Sequence, residues 1–442
     1  MKPLKLTVLL LFPLFLFSQT SYQKERLTRL TEQLIDLYNA RDTAGQLAFI
    51  RAAQPGEEKA QQFLHQLQEE QAHLGAIKLH AITVKSDQEA EALVQTPQFE
   101  TWWRVIVLTD SAQRFREHHM GMLRVTEAVL QSGPECTRTQ LAKEIEGYIT
   151  RQSAYMPFSG NVYVAHKGTV LYSRSFGKDP KGVMNTAGQS FDLASVGKLF
   201  TSISVLQLIS EGKVSIESTV GSLLPELKNQ KLQSITIRQL LTHTSGMGDF
   251  FEDPDFARTI DSIRKNEPLL SESASFRSYF EKDSLRFAPG TNWSYSNTGY
   301  ELLGYLVERL SGTDYKSYIT THIFQPAGMK QTKAGSGAGA GTSTVHDLTL
   351  FVKALQGKKL LGQYTDTLLT YRANDFYGYG TEHTVLGREH ITGHSGGFEN
   401  VCNELNIYQR SGYLVIILSN SNPPFGHFLS DKIKELLVRK AG

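Results

Sequence analysis

Phe191-Asp-Leu-Ala-Ser-Val-Gly-Lys198, continued by Leu199-Phe-Thr-Ser-Ile-Ser-Val-Leu-Gln-Leu-Ile209 and closed at Gly212, is the stretch around which the chain is organised. Val196, Leu199, Phe200, Ile203, Leu206, Leu208 and Ile209 recur at helical spacing on more than one side, the pattern of a helix that runs through a core. The spacing predicts a buried helix whose first turn carries Ser195 and Lys198. Residues three apart share a helix face, so the hydroxyl and the amine come within reach of each other. The positive end of the helix dipole favours an alkoxide there, and burial weakens the lysine's hold on its proton. A serine becomes a nucleophile in this way without a histidine. Ser-x-x-Lys also occurs at Ser21/Lys24, Ser175/Lys178, Ser210/Lys213 and Ser262/Lys265, but only Ser195 opens a long apolar helix.

With 442 residues, 40% hydrophobic and 20% charged, the chain can bury a large core and form more than one domain. Lys2 and Lys5 precede an apolar run from Leu6 to Phe17, too short for the roughly 20 residues that cross a bilayer. Residues 1–18 therefore read as a secretory signal peptide, an uncleaved anchor being the plainer alternative. The expected location is periplasmic or extracellular, with no membrane span after cleavage. Cleavage after Ser18 lowers Lys+Arg from 46 to 44, equal to the 44 Asp+Glu. A neutral mature chain offers no electrostatic case for nucleic acid or an anionic membrane surface. Cys136 and Cys402 lie too far apart in sequence for a disulfide scaffold or a thiolate metal site; one bridge or two thiols both stay open. No metal cluster and no cofactor motif is visible.

Residues 20–139 read as a separate small α+β accessory domain. Leu27, Leu30, Leu34, Leu37 and Tyr38 mark one helix and Ala60 to Leu74 a second, followed by strands at Ala76–Lys85, Glu100–Thr109 and Arg114–Val125. The layout is loosely similar to small cone-shaped folds of the nuclear-transport-factor-2 type. Trp102 and Trp103 read as core, and His118 and His119, adjacent on a strand, point to opposite faces and cannot chelate one metal together. Ser132-Gly-Pro-Glu135 makes a turn, and Thr139 to Gln152 a helix into the second domain.

Asn161 to Gly177 alternates twice about His166-Lys-Gly168, a β-hairpin with its tip at the glycine. Thr236 caps a short helix that ends towards Gly246 and carries His243, which has no positioned carboxylate in sequence and reads as structural. Tyr295-Ser-Asn297 is the only Tyr-x-Asn in the chain and lies on a loop before a helix, where residues face a cleft. The glycine-rich run from Gly335 to Gly341 lacks the Gly-Lys-Ser/Thr ending of a phosphate loop and reads as a flexible turn before a helix capped at Thr344. Ile391-Thr-Gly-His-Ser-Gly-Gly397 leads into strands at Val401–Leu405 and Tyr413–Leu418, and a helix from Leu429 to Lys440 ends the domain. Glycines beside a strand let a substrate backbone approach closely.

Ser195-x-x-Lys198, Tyr295-x-Asn297 and His394-x-Gly396 stand in one order, about a hundred residues apart each time. With Thr242-His-Thr-Ser-Gly246 and Phe287-Ala-Pro-Gly290, they make residues 150–442 resemble the serine β-lactamase-like and penicillin-binding superfamily, nearest to its class C β-lactamase, D-aminopeptidase and family VIII esterase branch. The resemblance implies an α/β fold of the α+β type: an antiparallel sheet flanked by helices, with an all-helical subdomain from about Gly212 to Gly341. It implies Ser195 as acylated nucleophile, Lys198 and Tyr295 sharing proton transfer, and Asn297 positioning the lysine and the substrate amide. The backbone N–H groups of Ser195 and Gly397 would form the oxyanion hole, with His394 and Gly396 beside the substrate. His394 stands where β-lactamases have the lysine of Lys-Thr-Gly, and histidine is largely neutral near pH 7. Ester or peptide substrates are therefore expected ahead of lactams. A catalytically silent binding protein and a true β-lactamase are the rival expectations; the partner is a small-molecule or peptide substrate.

Overall fold

The computed structural model describes residues 12–53, 56–112, 114–122, 130, 136–266 and 274–438. The first eleven residues of the expected signal segment and the expected turn at Ser132–Glu135 lie outside them. The chain forms two compact units, Met1–Val129 and Leu130–Gly442.

In the first unit, α1 (Phe12–Ala40), α2 (Thr43–Ala53) and α3 (Glu57–Leu74) precede an antiparallel sheet of β1 (Lys78–Ser86), β2 (Glu89–Thr96), β3 (Thr101–Thr109) and β4 (Phe115–Met122), in that order. The sequence reading lacks α2 and β2. The Ala and Glu of Glu89-Ala-Glu-Ala92 favour a helix intrinsically. Strands on both sides override that preference, and alternation buries Ala90, Ala92 and Val94. Leu34, Tyr38, Leu67, Val105, Val107 and Phe115 share the core with Ala92 and Val94. His118 is buried against Phe63, its Nε2 2.8 Å from Glu70, while His119 faces solvent, as strand alternation requires. Trp103 packs on the core, but Trp102 lies half-buried with its ring 4.5 Å from that of His80.

The second unit opens with α4 (Arg138–Gln152), closed at its start by a reciprocal Thr137/Gln140 capping box. Then come the hairpin β5 (Gly160–His166) and β6 (Thr169–Phe176), β7 (Phe191–Asp192), and α5 (Lys198–Ser210). Positive φ at Lys167 and Gly168 turns the hairpin at its expected tip. Short helices follow: α6 (Val220–Leu223), α7 (Ile237–Leu241), α8 (Phe256–Asn266) and α9 (Arg277–Lys282). After α10 (Asn297–Ser311), α11 (Tyr315–Ile319) and α12 (Gln325–Ala327), β8 (Thr342–Ser343) pairs back with β7, so the segment between these two strands is the helical subdomain. The chain ends with α13 (Val345–Gln356), α14 (Tyr364–Thr370), β9 (Glu382–Leu386), β10 (Glu389–Phe398), β11 (Val401–Tyr408), β12 (Tyr413–Ser419) and α15 (Phe425–Leu437).

Six strands form one antiparallel sheet in the order β6-β5-β12-β11-β10-β9. Leu405, Ile407, Ile416 and Leu418 point from it into the same core as Leu199, Phe200, Ile203 and Leu206 of α5. Each such side chain contributes about 1.5–3 kcal/mol by leaving water. On the opposite face α15 lies on β11 and β12, with α4 against it. The central helix is thus gripped on all sides, which explains its lack of a single apolar stripe.

Candidate active site

Ser195 does not lie within the α-helix. Ala194–Gly197 form a 3₁₀ turn, and the α-helix starts at Lys198. Ala194 adopts φ 47°, a left-handed conformation that alanine takes only under constraint from its surroundings. Its carbonyl accepts the Ala340 N–H at 2.8 Å, and Gly339 presses so closely that a Cβ there would sit 2.4 Å from the same oxygen. Gly396 of β10 closes the other side, where a Cβ would lie 2.5 Å from Leu193 O and 3.2 Å from Ser195 N. That glycine is demanded by the protein's own backbone as well as by any approaching substrate.

The expected flexible turn at Gly335–Gly341 is instead a packed wall. Backbone bonds join Ser336 to Gly339 and Lys333 to Thr342, and the buried Glu301 carboxylate accepts from Ser336 Oγ and from the Gly337 and Ala338 N–H groups. Glycine is used here because backbone packs on backbone: a Cβ on Gly337 would lie 2.5 Å from Tyr300 O. The wall aims the Ala338 carbonyl at Lys198 Nζ.

Lys198 is wholly buried. Its Nζ lies 3.3 Å from Ser195 Oγ and 2.6 Å from Asn297 Oδ1, with Ala338 O as the third partner. Burial pushes its pKa down to about 7, against the opposing pull of Glu301, Asp249 and Glu382. A neutral amine keeps two N–H bonds for the two carbonyl-type oxygens and turns its lone pair to the Ser195 hydroxyl. Asn297 is oriented by Asp249, whose Oδ2 takes both its backbone N–H and its Nδ2–H at 2.9 Å, leaving Oδ1 for the lysine. Ser296 caps α10, accepting the Gly299 N–H at 3.0 Å, and so sets Tyr295 and Asn297 at the helix entrance.

The Tyr295 hydroxyl faces Ser195, and burial holds it well above the usual phenol range. Its ring lies 4.2 Å from that of His243, which is buried and kept neutral by desolvation and by the nearby lysine. His394, buried on β10, is also pushed below the ordinary histidine range by burial. Tyr377 joins the two histidines, its hydroxyl 3.0 Å from His243 Nε2 and 3.1 Å from His394 Nε2. The Ser296 N–H donates to His243 Nδ1 at 3.1 Å, so the His243 proton sits on Nε2 and points at Tyr377. His394 Nδ1 faces the Ser395 carbonyl and must carry that ring's proton, so Tyr377 donates to His394 Nε2. His243 therefore shapes the seat of Tyr295 rather than taking protons. Tyr377→Phe strands two buried imidazole nitrogens and is expected to cost at least about 1–3 kcal/mol in urea unfolding; a wild-type midpoint would show that the bridge is not formed.

Ser195, Tyr295, Asn297, His394, Gly396 and Gly397 all line one cavity of about 820 Å³, with Lys198 just beneath its floor. Strand β9 pairs with β10 only as far as Gly393, so the edge of Ser395–Phe398 is open to that cavity. The arrangement brings a hydroxyl, a weakly basic amine, a phenol donor and exposed strand backbone to one point, which is the equipment of acyl transfer. Asp249, Glu301, Ala338, Tyr377 and Glu382 are absent from the sequence reading. Glu301 alone had a local signal, lying four residues after Asn297 on one helix face. Among the described residues no group of three His, Cys, Asp or Glu could hold a metal ion, and Cys136 and Cys402 are not bridged.

A penicillin-binding protein of Bacillus subtilis strain 168 is 38% identical over 183 residues, which cover 40% of this chain and 38% of that protein. The chain thus spans well under two thirds of that relative. PbpX of the same strain, also named as penicillin-binding, is 28% identical over 319 residues, 63% of this chain and 75% of its own. Among solved structures, a penicillin-binding protein from Bacillus halodurans matches with a TM-score of 0.56 at 24% identity, over 67% of this chain and 99% of that one. The D-amino acid amidase of Ochrobactrum anthropi SV3 matches with 0.54 at 19%, over 67% and 98%, and both likenesses concern the fold. The Beta-lactamase family model matches residues 146–440, and the chain belongs to that family.

Proposed function

We propose that this protein is an exported serine hydrolase that acts through an acyl-enzyme on Ser195, with ester, peptide or amide substrates. The observation that carries the reading is the buried Lys198 amine, poised near neutrality 3.3 Å from the serine hydroxyl. In the proposed first half-reaction Lys198 takes the proton as Ser195 Oγ attacks the substrate carbonyl. The oxyanion meets the backbone N–H groups of Ser195 and Gly397, each such donor being worth about 2.7–4 kcal/mol. Tyr295, kept protonated by burial, passes a proton to the leaving group and regains one from Lys198. Water then cleaves the ester by the same groups in reverse. Export is proposed from the basic, apolar start of the chain; no helix among the described residues is long and apolar enough to cross a membrane. The unit Met1–Val129 is read as an accessory module.

Intact-protein mass after exposure to a fluorophosphonate and, separately, to penicillin tests the reading. A fluorophosphonate adduct on the wild type and none on Ser195→Ala is the expected result; no adduct on a folded sample points to the silent binding protein. With His394 neutral, the cavity has no fixed cation on that strand for a lactam carboxylate. Hence kcat/KM on small esters is expected to exceed that on penicillins by at least about tenfold, equivalent to about 1.4 kcal/mol. A lactam preference in the same assay would overturn this.

A further inference from the structure

A second cavity, of about 650 Å³, is lined entirely by residues of the first unit and falls in the size range of small-molecule pockets. Two helices supply its walls. On α1 the lining positions Arg26, Leu30, Gln33 and Leu37 follow helical spacing, and on α2 Gly45, Ala48, Phe49 and Ala52 do the same. Phe115, at the start of β4, closes the floor, its ring 5.4 Å from that of Phe49. Ala48 and Ala52 are exposed and put only methyl groups on their wall, which keeps the space open. Leu30, Leu37 and Phe49 stay partly exposed beside them, so apolar surface faces water in a concave place.

The charges around this floor share one sign. Arg26 and Arg29 of α1 and Arg114, just before β4, line the cavity, and among the described residues no aspartate or glutamate does. The neighbours in sequence whose side chains lie outside the description, Ala53, Gln54, Pro55 and Gln113, are uncharged. Arg29 and Arg114 each have a carboxylate partner outside the lining, Glu25 and Asp110, in pairs open to solvent. Such pairs hold loosely, and a guanidinium with five N–H groups can keep one partner while meeting another. Arg26 makes no ion pair with a described residue.

We propose that this cavity binds a free single-tailed anionic amphiphile, an alkyl or acyl chain ending in a carboxylate or similar oxyanion, with its tail on Phe49 and Phe115 and its head held by Arg26, Arg29 and Arg114. The inference is independent of the hydrolase reading and gives the first unit a ligand of its own. Seating the tail removes apolar surface of both partners from water, and the planar guanidinium matches the two oxygens of the head. A neutral head gains only the first of these, and a cationic head meets like charge. The free molecule is the source, because the chain carries no basic block for an anionic membrane surface.

Calorimetry on the full-length chain compares decanoate, 1-decanol and decyltrimethylammonium, each below its micelle-forming concentration. Decanoate is expected to bind at least about tenfold tighter than decanol, with the cation weakest. Arg26→Gln combined with Arg29→Gln should cost decanoate at least about fivefold and leave decanol unchanged. Ala48→Trp, at an exposed position, fills the groove and should weaken both. Unchanged melting temperatures show that the variants are folded, and the arginine pair carries the test if Ala48→Trp is not. Equal binding of decanoate and decanol overturns the proposal. A decanoate preference that survives the arginine replacements places the site elsewhere and overturns it as well. So does binding to vesicles of phosphatidylglycerol and phosphatidylcholine without binding of monomeric decanoate, which would make this face a membrane contact instead.

Discussion

Replacement Ser195→Ala is expected to lower kcat on any ester substrate by about 10³–10⁶-fold while leaving the fold intact. The size of the loss follows from the role: the attacking oxygen is gone, and what survives is the water-excluded cavity with its backbone donors, which accelerates attack by water only modestly. The fold should tolerate the change because the alanine methyl occupies part of the volume of the serine side chain. Lys198 also keeps its bonds to Asn297 and Ala338, and Ala194 keeps its bond from Ala340. Lys198 and Tyr295 each lose one contact at the open cavity, so the cost should stay within about 1 kcal/mol and the melting temperature within about 4 °C of wild type. Retained turnover in a pure sample would sink the acyl-enzyme reading.

The second large effect is expected at Lys198→Met, which keeps length and burial but deletes the base. Loss of a general base costs about 10²–10⁴-fold in kcat. The partners left behind matter as well, because Asn297 Oδ1 and the Ala338 carbonyl lose a donor in a buried place, at about 1–3 kcal/mol each. The wild-type pH profile carries the sharper signature. With the amine pushed down to about 7, kcat/KM should climb about tenfold per pH unit below that value and level off above it. Stability follows the same ionisation with a definite sign. Between about 7 and the ordinary 10.5 the unfolded chain holds a proton that the folded chain has lost, so stability due to this group rises with pH across that window. Lys198→Met should erase that slope in urea titrations, and a wild-type activity profile flat from mildly acid to alkaline pH would remove Lys198 from the role of base.

How much of this could be read beforehand depended on where the signal resides. Ser195, Lys198, Tyr295 and Asn297 announce themselves because chemistry needs those side chains at short fixed spacing, and their helices carry strong apolar periodicity. Four strands of the six-stranded sheet were legible, the β5–β6 hairpin and the runs at Val401–Leu405 and Tyr413–Leu418, whereas β9 was not read at all. Asp249 and Tyr377 left no trace, since each acts on residues far away in sequence and neither sits in a local pattern. The glycine-rich wall was misread because glycine marks both chain freedom and close backbone packing, and only the neighbouring backbone distinguishes the two. The helical onset was misplaced for a related reason. Ala194 is held in its left-handed conformation by Gly339 and Gly396, so the bend before Lys198 is imposed by distant strands and loops rather than by its own sequence.

The hydrogen-bonded row from the Ser296 amide through His243, Tyr377 and His394 to the Ser395 carbonyl has one polarity only. An amide nitrogen cannot accept at one end, and a carbonyl oxygen cannot donate at the other. No Grotthuss hop can therefore traverse it, and the two imidazoles near Ser195 serve as insulation. In the proposed mechanism, proton traffic is then confined to Lys198, Tyr295, the leaving group and the water of the cavity, so each proton removed from Ser195 would stay on the side where the next step consumes it.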